Sequence, residues 1–383
     1  MLMRNISDTI AHFSALRKAA MNGGVHGESR LTEISEFGTN PGSLRAHVYI
    51  PPSLSKRAAL VVVLHGCTQT ASGYDIGSGW SDMAERHGFA LLFPEQQAQN
   101  NPNLCFNWFT KAGSGREAAS IRQMIETISA EQDIDPSRVF VTGLSAGGAM
   151  TAVMLATYPE VFAGGAVIAG LPYGSAEGVP QALERMRGHN IAERGKLERF
   201  VRRASAHRGP WPKLSVWHGS SDATVAAANA DALVEQWTAL HGLQSLPARR
   251  ETVDGHIRRA WLDRKGQEVV EDYRILGMGH GTPLKTTGDD GCGRSGAFML
   301  EVGISSTYRI CRFWKLIERE ARTDTLAIAR DKEKIGELVG SDVPLANEGR
   351  HLQTRPHQEP SPTPRNPVRK VIEDALRSAG LMP

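Results

Sequence analysis

Several things are scarce in this 383-residue chain, and each scarcity narrows what it can be. No apolar run is long enough to cross a bilayer; stretches such as Leu60–Leu64 and Phe89–Phe93 are strand-sized, so no transmembrane segment is expected. Charge of neither sign dominates: 44 Lys and Arg face 41 Asp and Glu, a formal +3. With no basic run interleaved with aromatics, a nucleic-acid partner is not expected. There are four cysteines, at 67, 105, 292 and 311, and none has zinc-type spacing, so no metal site is expected. Four cysteines allow three pairings or none, which leaves the redox compartment open. The first 21 residues lack the unbroken apolar core of a signal peptide, because Asn5, Ser7, Asp8, His12 and Ser14 interrupt it. Ile6, Ile10, Phe13 and Leu16 fall instead at helical spacing, which predicts a surface or docking helix and, on sequence grounds, a cytoplasmic location. No internal repeat is visible.

What the chain does have is alternation. Apolar runs at Ala59–Leu64, Phe89–Phe93, Arg138–Thr142, Ala163–Ala169 and Leu214–His218 have the length and continuity of strands buried on both faces. Helical stretches follow or separate them at Trp80–His87, Ala118–Ile128, Ala149–Ala156, Ala226–Leu240 and Ser305–Glu320. This predicts an α/β fold with a mostly parallel, doubly wound sheet and helices on both faces. Leu31–Phe37 with Leu44–Ile50 should form an antiparallel pair, and Glu251–Asp254, His256–Asp263 and Glu268–Leu276 further strands. Residues 71–79 are expected to be a polar loop. Residues 95–116 form a long loop whose bulky aromatics argue against disorder. Residues 172–210 are polar and arginine-rich, hold a weak helix at Pro180–Met186, and are expected to be an insertion or lid. The domain reading is an N-terminal helix and loop over 1–29, one α/β domain over 30–321, and a charged tail over 322–383. Within the tail, 344–367 has the composition of a disordered linker and Val368–Leu381 that of a short amphipathic helix.

Gly143-Leu144-Ser145-Ala146-Gly147 lies between a predicted strand and a predicted helix. A G-x-S-x-G pentapeptide in that setting needs small residues because strand turns into helix at once, lifting the serine above the sheet edge. In any other setting it is an ordinary glycine-rich turn. A serine hydroxyl needs a base within reach, and the base an orienting carboxylate. Asp222 follows the strand Leu214–His218, and His280 follows Glu268–Leu276 between glycines, so both fall at the active-site edge of a parallel sheet. Asp231 and Asp254 are rival carboxylates that read as surface groups. Among rival histidines, His241 reads as a helix-end group, His256 as a strand start and His218 as a core or supporting residue. An oxyanion would take N–H groups from Ala146, the residue after the serine, and from Cys67, in the loop after the strand Ala59–Leu64. His65 lies in that same loop. It is placed among the substrate-side residues, although its position before the first crossover also suits bracing the loop.

The segments Leu64-His65-Gly66-Cys67-Thr68-Gln69-Thr70, Phe93-Pro94-Glu95-Gln96, Cys105-Phe106-Asn107-Trp108-Phe109, Val141–Met150 and Gly279-His280-Gly281-Thr282-Pro283-Leu284 together resemble the polyhydroxybutyrate depolymerase-type esterase family, over roughly residues 40–320. The resemblance implies an α/β-hydrolase fold, a Ser145–Asp222–His280 triad, an oxyanion hole from Cys67 and Ala146, and no cofactor. It places Trp108 on the substrate side and pairs Cys67 with Cys105 in a disulfide; Phe109 and the 172–210 insertion are expected to line the acyl or alcohol pocket beside Trp108. Its members are extracellular, which sets the family against the sequence on location. The activity implied is a serine carboxylic-ester hydrolase cleaving short-chain hydroxyalkanoate esters through an acyl-enzyme. Feruloyl or acetylxylan esters are the alternative substrates, and a non-catalytic binding protein on the same fold is the alternative class. Related secreted esterases often carry an aromatic residue two positions after the histidine. Thr282 stands there in this chain, which points to the polyhydroxyalkanoate branch.

Overall fold

The computed structural model of the protein describes residues 27–317 apart from residue 244. The N-terminal helix, the linker and the terminal helix expected above lie outside the described residues. In chain order the strands and helices are β1 (Thr32–Ile34), β2 (Arg45–Tyr49), β3 (Ala58–Leu64), α1 (Ala71–Ser78), α2 (Trp80–His87), β4 (Ala90–Glu95), α3 (Lys111–Glu131), β5 (Ile134–Leu144), α4 (Ala146–Thr157), β6 (Gly164–Ile168), α5 (Val179–Met186) and α6 (Arg194–Ala204). The chain continues through β7 (Lys213–Gly219), α7 (Ala228–Leu240), β8 (Arg249–Val253), β9 (His256–Leu262), β10 (Glu268–Ile275), β11 (Thr282–Leu284), β12 (Met299–Glu301) and α8 (Ser306–Phe313).

A ten-stranded sheet runs β1-β2-β4-β3-β5-β6-β7-β10-β9-β8. Its middle, β4 to β10, is parallel throughout. The pairs β1–β2, β2–β4, β10–β9 and β9–β8 are antiparallel. The central strands are apolar on consecutive residues because both faces are covered. Leu60, Val62 and Leu64 of β3 join a core with Ile121 and Met124 of α3, Met150 and Met154 of α4 and Leu233 of α7. Their neighbours Val61 and Val63 join a second core with Tyr74, Trp80, Met83 and Ile310 from α1, α2 and α8. A one-residue alternation thus divides one strand between two helical layers. Helix α4 is buried from Ala146 to Ala156, as its lack of a polar face requires.

Two departures from the sequence expectation have physical causes. The segment expected as a polar loop holds α1, whose Gly73 and Gly77 weaken the helical signal. Thr70 caps it by accepting from the Gly73 N–H at 3.1 Å, and Tyr74 anchors it with no exposed surface. The 172–210 insertion holds α6 besides α5; α6 buries Leu197 and Val201 fully, a seam too narrow to stand out among its charges. The last helix is shorter than expected, ending at Phe313.

Two strands that carry functional candidates are locked together. Trp217 of β7 stacks on Tyr273 of β10 with ring centroids 3.8 Å apart. Beneath them the Trp217 indole donates to Ser215 Oγ, which donates to Glu271 Oε1, while Arg258 Nε donates to Glu271 Oε2. Burial pushes the Glu271 carboxyl up and the Arg258 charge opposes that rise.

Candidate active site

Four parallel strands deliver the candidate residues at one edge: β3 ends before Cys67, β5 before Ser145, β7 before Asp222 and β10 before His280. Carboxyl ends of parallel strands are where α/β folds place their ligands. Ser145 sits at φ 57°, ψ −116°, a conformation unfavourable for any residue with a Cβ. Its N–H donates to Ile168 O at 2.9 Å, which ties the turn to β6. The flanking glycines are required by close approach. A Cβ on Gly147 would lie 2.4 Å from Leu64 O, and one on Gly143 would lie 2.5 Å from the Gly147 carbonyl.

His280 Nε2 accepts from Ser145 Oγ at 2.9 Å, and His280 Nδ1 donates to Asp222 Oδ2 at 2.7 Å. The other Asp222 oxygen accepts the N–H groups of Thr224 and Val225 at 2.8 and 2.9 Å. The Asp222 side chain has no exposed surface. Burial alone would raise its pKa, but the His280 hydrogen bond, the nearby imidazoles and the Val225 N–H outweigh burial and hold the carboxyl below its ordinary range. Gly219 lets the two loops meet, since a Cβ there would lie 2.2 Å from Met278 O. A serine, an imidazole and a buried carboxylate in this order can pass a proton from the hydroxyl to the ring and stabilise the imidazolium that results.

The rival residues are engaged elsewhere. Asp231 pairs with Arg274 at 2.8 Å and Asp254 with Arg309 at 2.6 Å, both at the surface. His241 bonds Pro212 O and His256 bonds Val302 O. His218 is fully buried, donates from Nε2 to Val225 O at 2.8 Å and lies 3.5 Å from Asp222 Oδ2. Burial holds its pKa below the usual imidazole range, against the opposing pull of Asp222 and the Val225 carbonyl.

Ser145 and His280 open onto a cavity of about 280 Å³. Trp108 and Phe109 line it, in edge-to-face contact with centroids 5.5 Å apart. Leu171, Val225 and, from the insertion, Val179, Ala182, Leu183 and Met186 form an aliphatic wall. Gln69, Asn101, Asn103 and Thr224 supply its polar side chains besides the serine and histidine, and among the described residues no Asp, Glu, Lys or Arg lines it. Cys67 and Ala146 also line the cavity, and among the described residues neither of their N–H groups has a recorded acceptor within the chain. Such N–H groups can hold a negative oxygen.

His65 has no place in this cavity, which corrects the expectation that it contacts substrate. Its ring is 1% exposed, with Nδ1 bonded to Gly66 O at 2.7 Å and Nε2 accepting from Gln96 N at 3.1 Å. Thr282 is buried against the Tyr74 hydroxyl. The aromatic ring beside the histidine comes from Phe298, 6.3 Å from His280 between centroids, a residue that no motif indicated. Cys67 and Cys105 form a disulfide, while Cys292 and Cys311 are free and buried. The bond closes 38 residues, a constraint worth about 4 kcal/mol in the chain-entropy picture. Reductant should therefore lower the Tm of the wild-type protein by several degrees and leave that of Cys105→Ser unchanged. Equal Tm values with and without reductant in the wild type would show that the bond adds nothing.

The strand order, the strained serine at a strand-to-helix turn and the hydrogen-bonded Ser-His-Asp arrangement define an α/β-hydrolase. A family model described as Esterase PHB depolymerase matches residues 44–258. The chain belongs to that family and is a carboxylic-ester hydrolase. Poly(3-hydroxyalkanoate) depolymerase C of Paucimonas lemoignei is 47% identical over 294 residues, covering 75% of this chain and 70% of that protein. The acetylxylan esterase of Coprinopsis cinerea is 33% identical over 268 residues, covering 67% and 71%. In the solved structure of the acetyl xylan esterase from Aspergillus awamori, 25% identical, the similarity has a TM-score of 0.63 and covers 76% of this chain and 100% of that one.

Proposed function

We propose that the protein hydrolyses short-chain hydroxyalkanoate esters through an acyl-enzyme on Ser145. The observation that carries this reading is the unbroken Ser145–His280–Asp222 hydrogen-bond chain, opening onto a cavity with aliphatic and aromatic walls and no fixed charge. A neutral aliphatic polyester fits such walls, whereas a charged substrate would lose its hydration without gaining a partner. The 47% identity to a poly(3-hydroxyalkanoate) depolymerase supports the same substrate class.

In this mechanism Ser145 Oγ attacks the ester carbonyl while His280 Nε2 takes its proton. Asp222 holds the ring with Nδ1 protonated and stabilises the imidazolium. The N–H groups of Cys67 and Ala146 take the charge that develops on the carbonyl oxygen, each worth about 3 kcal/mol in comparable sites. His280 then protonates the departing alcohol. Water, deprotonated by the same nitrogen, releases the hydroxy acid and restores the serine.

A substrate panel tests the reading. With purified protein, kcat/KM should be higher for 3-hydroxybutyrate oligomers than for methyl ferulate or acetylated xylose. A preference for acetylated xylose would move the protein toward its acetylxylan-esterase relatives, and one for methyl ferulate toward its feruloyl-esterase relatives. Trp108→Ala should lower kcat/KM for the oligomers by about tenfold, the worth of part of an aromatic side chain's burial. An oligomer rate unchanged by that substitution would remove Trp108 from the substrate side.

A further inference from the structure

Behind the cavity wall lies a buried carboxylate that the ester chemistry does not use. Glu117, in the second turn of α3, is 3% exposed. Its Oε2 accepts the Asn107 N–H at 2.8 Å, and its Oε1 accepts the Asn107 side-chain amide at 2.6 Å and the Gln96 side-chain amide at 2.8 Å. The Gln96 amide also donates to Cys105 O at 3.2 Å, and the Gln96 N–H donates to His65 Nε2 at 3.1 Å. With the His65–Gly66 contact, one hydrogen-bonded chain runs from the residue before Cys67 to the residue before Trp108. A buried carboxylate is costly unless every lone pair is used, and all three donors here come from loop residues or from the residue that follows β4. Helix α3 itself is fixed from below, because Gly42 packs so closely on Glu117 that a Cβ there would lie 2.6 Å from its Cα. The Cys105–Phe109 loop therefore takes its position from a rigid element, and that loop carries the indole which packs against Ala149, Leu171 and Val225.

We propose that Glu117 is a positioning residue for substrate selection: it clamps Asn107 and Gln96 and so sets Trp108 against the acyl-binding wall. The inference rests on reading the cavity as the ester site. Glu117 touches no substrate and acts through Trp108.

The test compares p-nitrophenyl hexanoate, long enough to reach the wall, with p-nitrophenyl acetate, which is not. Glu117→Gln keeps the shape and turns a donor toward Asn107. It should lower kcat/KM for the hexanoate about tenfold through KM, and for the acetate less than threefold. In a Trp108→Ala background the same substitution should change hexanoate turnover by less than twofold. Equal losses on both esters, or losses that multiply with those of Trp108→Ala, would overturn the proposal. Asn107→Ala removes the side-chain half of the clamp from the other end and should show the same dependence on Trp108. If neither variant folds, the clamp serves the fold and the positioning role is overturned. A wild-type protein that turns over neither ester would instead count against the ester-hydrolase reading itself.

Discussion

Replacing Ser145 with alanine should lower kcat for p-nitrophenyl butyrate by about a millionfold, the scale on which a serine nucleophile acts in concert with its base. His280→Ala should cost about as much, and the double variant no more, because a base without a nucleophile and a nucleophile without a base are equally idle. Asp222→Asn should cost about ten-thousandfold, since an amide at that position turns the ring to the wrong tautomer. The geometry makes these values interdependent: Ser145 Oγ and Asp222 Oδ2 are bonded to the two nitrogens of one ring. Turnover measured with a fluorophosphonate label separates this from a trace contaminant. Wild type should be labelled at Ser145 and Ser145→Ala not at all. A Ser145→Ala protein with more than a few percent of wild-type turnover would exclude Ser145 as the nucleophile and reopen the case for a binding protein on this fold.

Gly147→Ala should be nearly as damaging, through folding. The added methyl would sit 2.4 Å from Leu64 O and 2.5 Å from His65 O. Both are main-chain atoms at the end of β3, which is hydrogen-bonded to β4 on one side and β5 on the other. Neither strand can yield without breaking its ladder, so the loss should exceed about 4 kcal/mol out of a typical total of 5–15. Soluble yield and thermal unfolding measure it. Gly115→Ala is the matched control: it lies in α3 with no atom within 4 Å of the new methyl, and it should be neutral or stabilising by about 0.4–1 kcal/mol. A Gly147→Ala protein with wild-type Tm would show that the elbow tolerates bulk.

The fold was legible wherever the chain has no choice of partner. Strands such as β3, covered on both faces, must be apolar on every residue, and that run is visible in the sequence. Ser145, Asp222 and His280 were legible for a related reason: the strand ends place them, and strands can be counted. Residues whose role depends on a neighbour far along the chain were hidden. Phe298 reaches the cavity from the loop before β12, a strand of three residues with no signal of its own. Helix α1 was hidden because its glycines serve packing, with Gly77 leaving room for Met299. Glu117 falls just before the helix expected from the sequence, marked by no motif, and only the fold shows the three donors that meet its carboxylate. His65 shows the converse, since a motif histidine beside a reactive loop can be entirely structural.

The parallel strand order also bears on how the molecule comes together. Ser145 and His280 are 135 residues apart and meet only across β6, β7 and β10, so no short stretch of chain brings them together. Pairings this distant close slowly, because loop entropy is lost before the contacts that repay it form. Recovered ester turnover in a refolding experiment thus reports completion of the sheet from β3 to β10, whatever the order in which strands are added. A truncated chain ending before β10 would keep the turn that holds Ser145 and lack the histidine that bonds it.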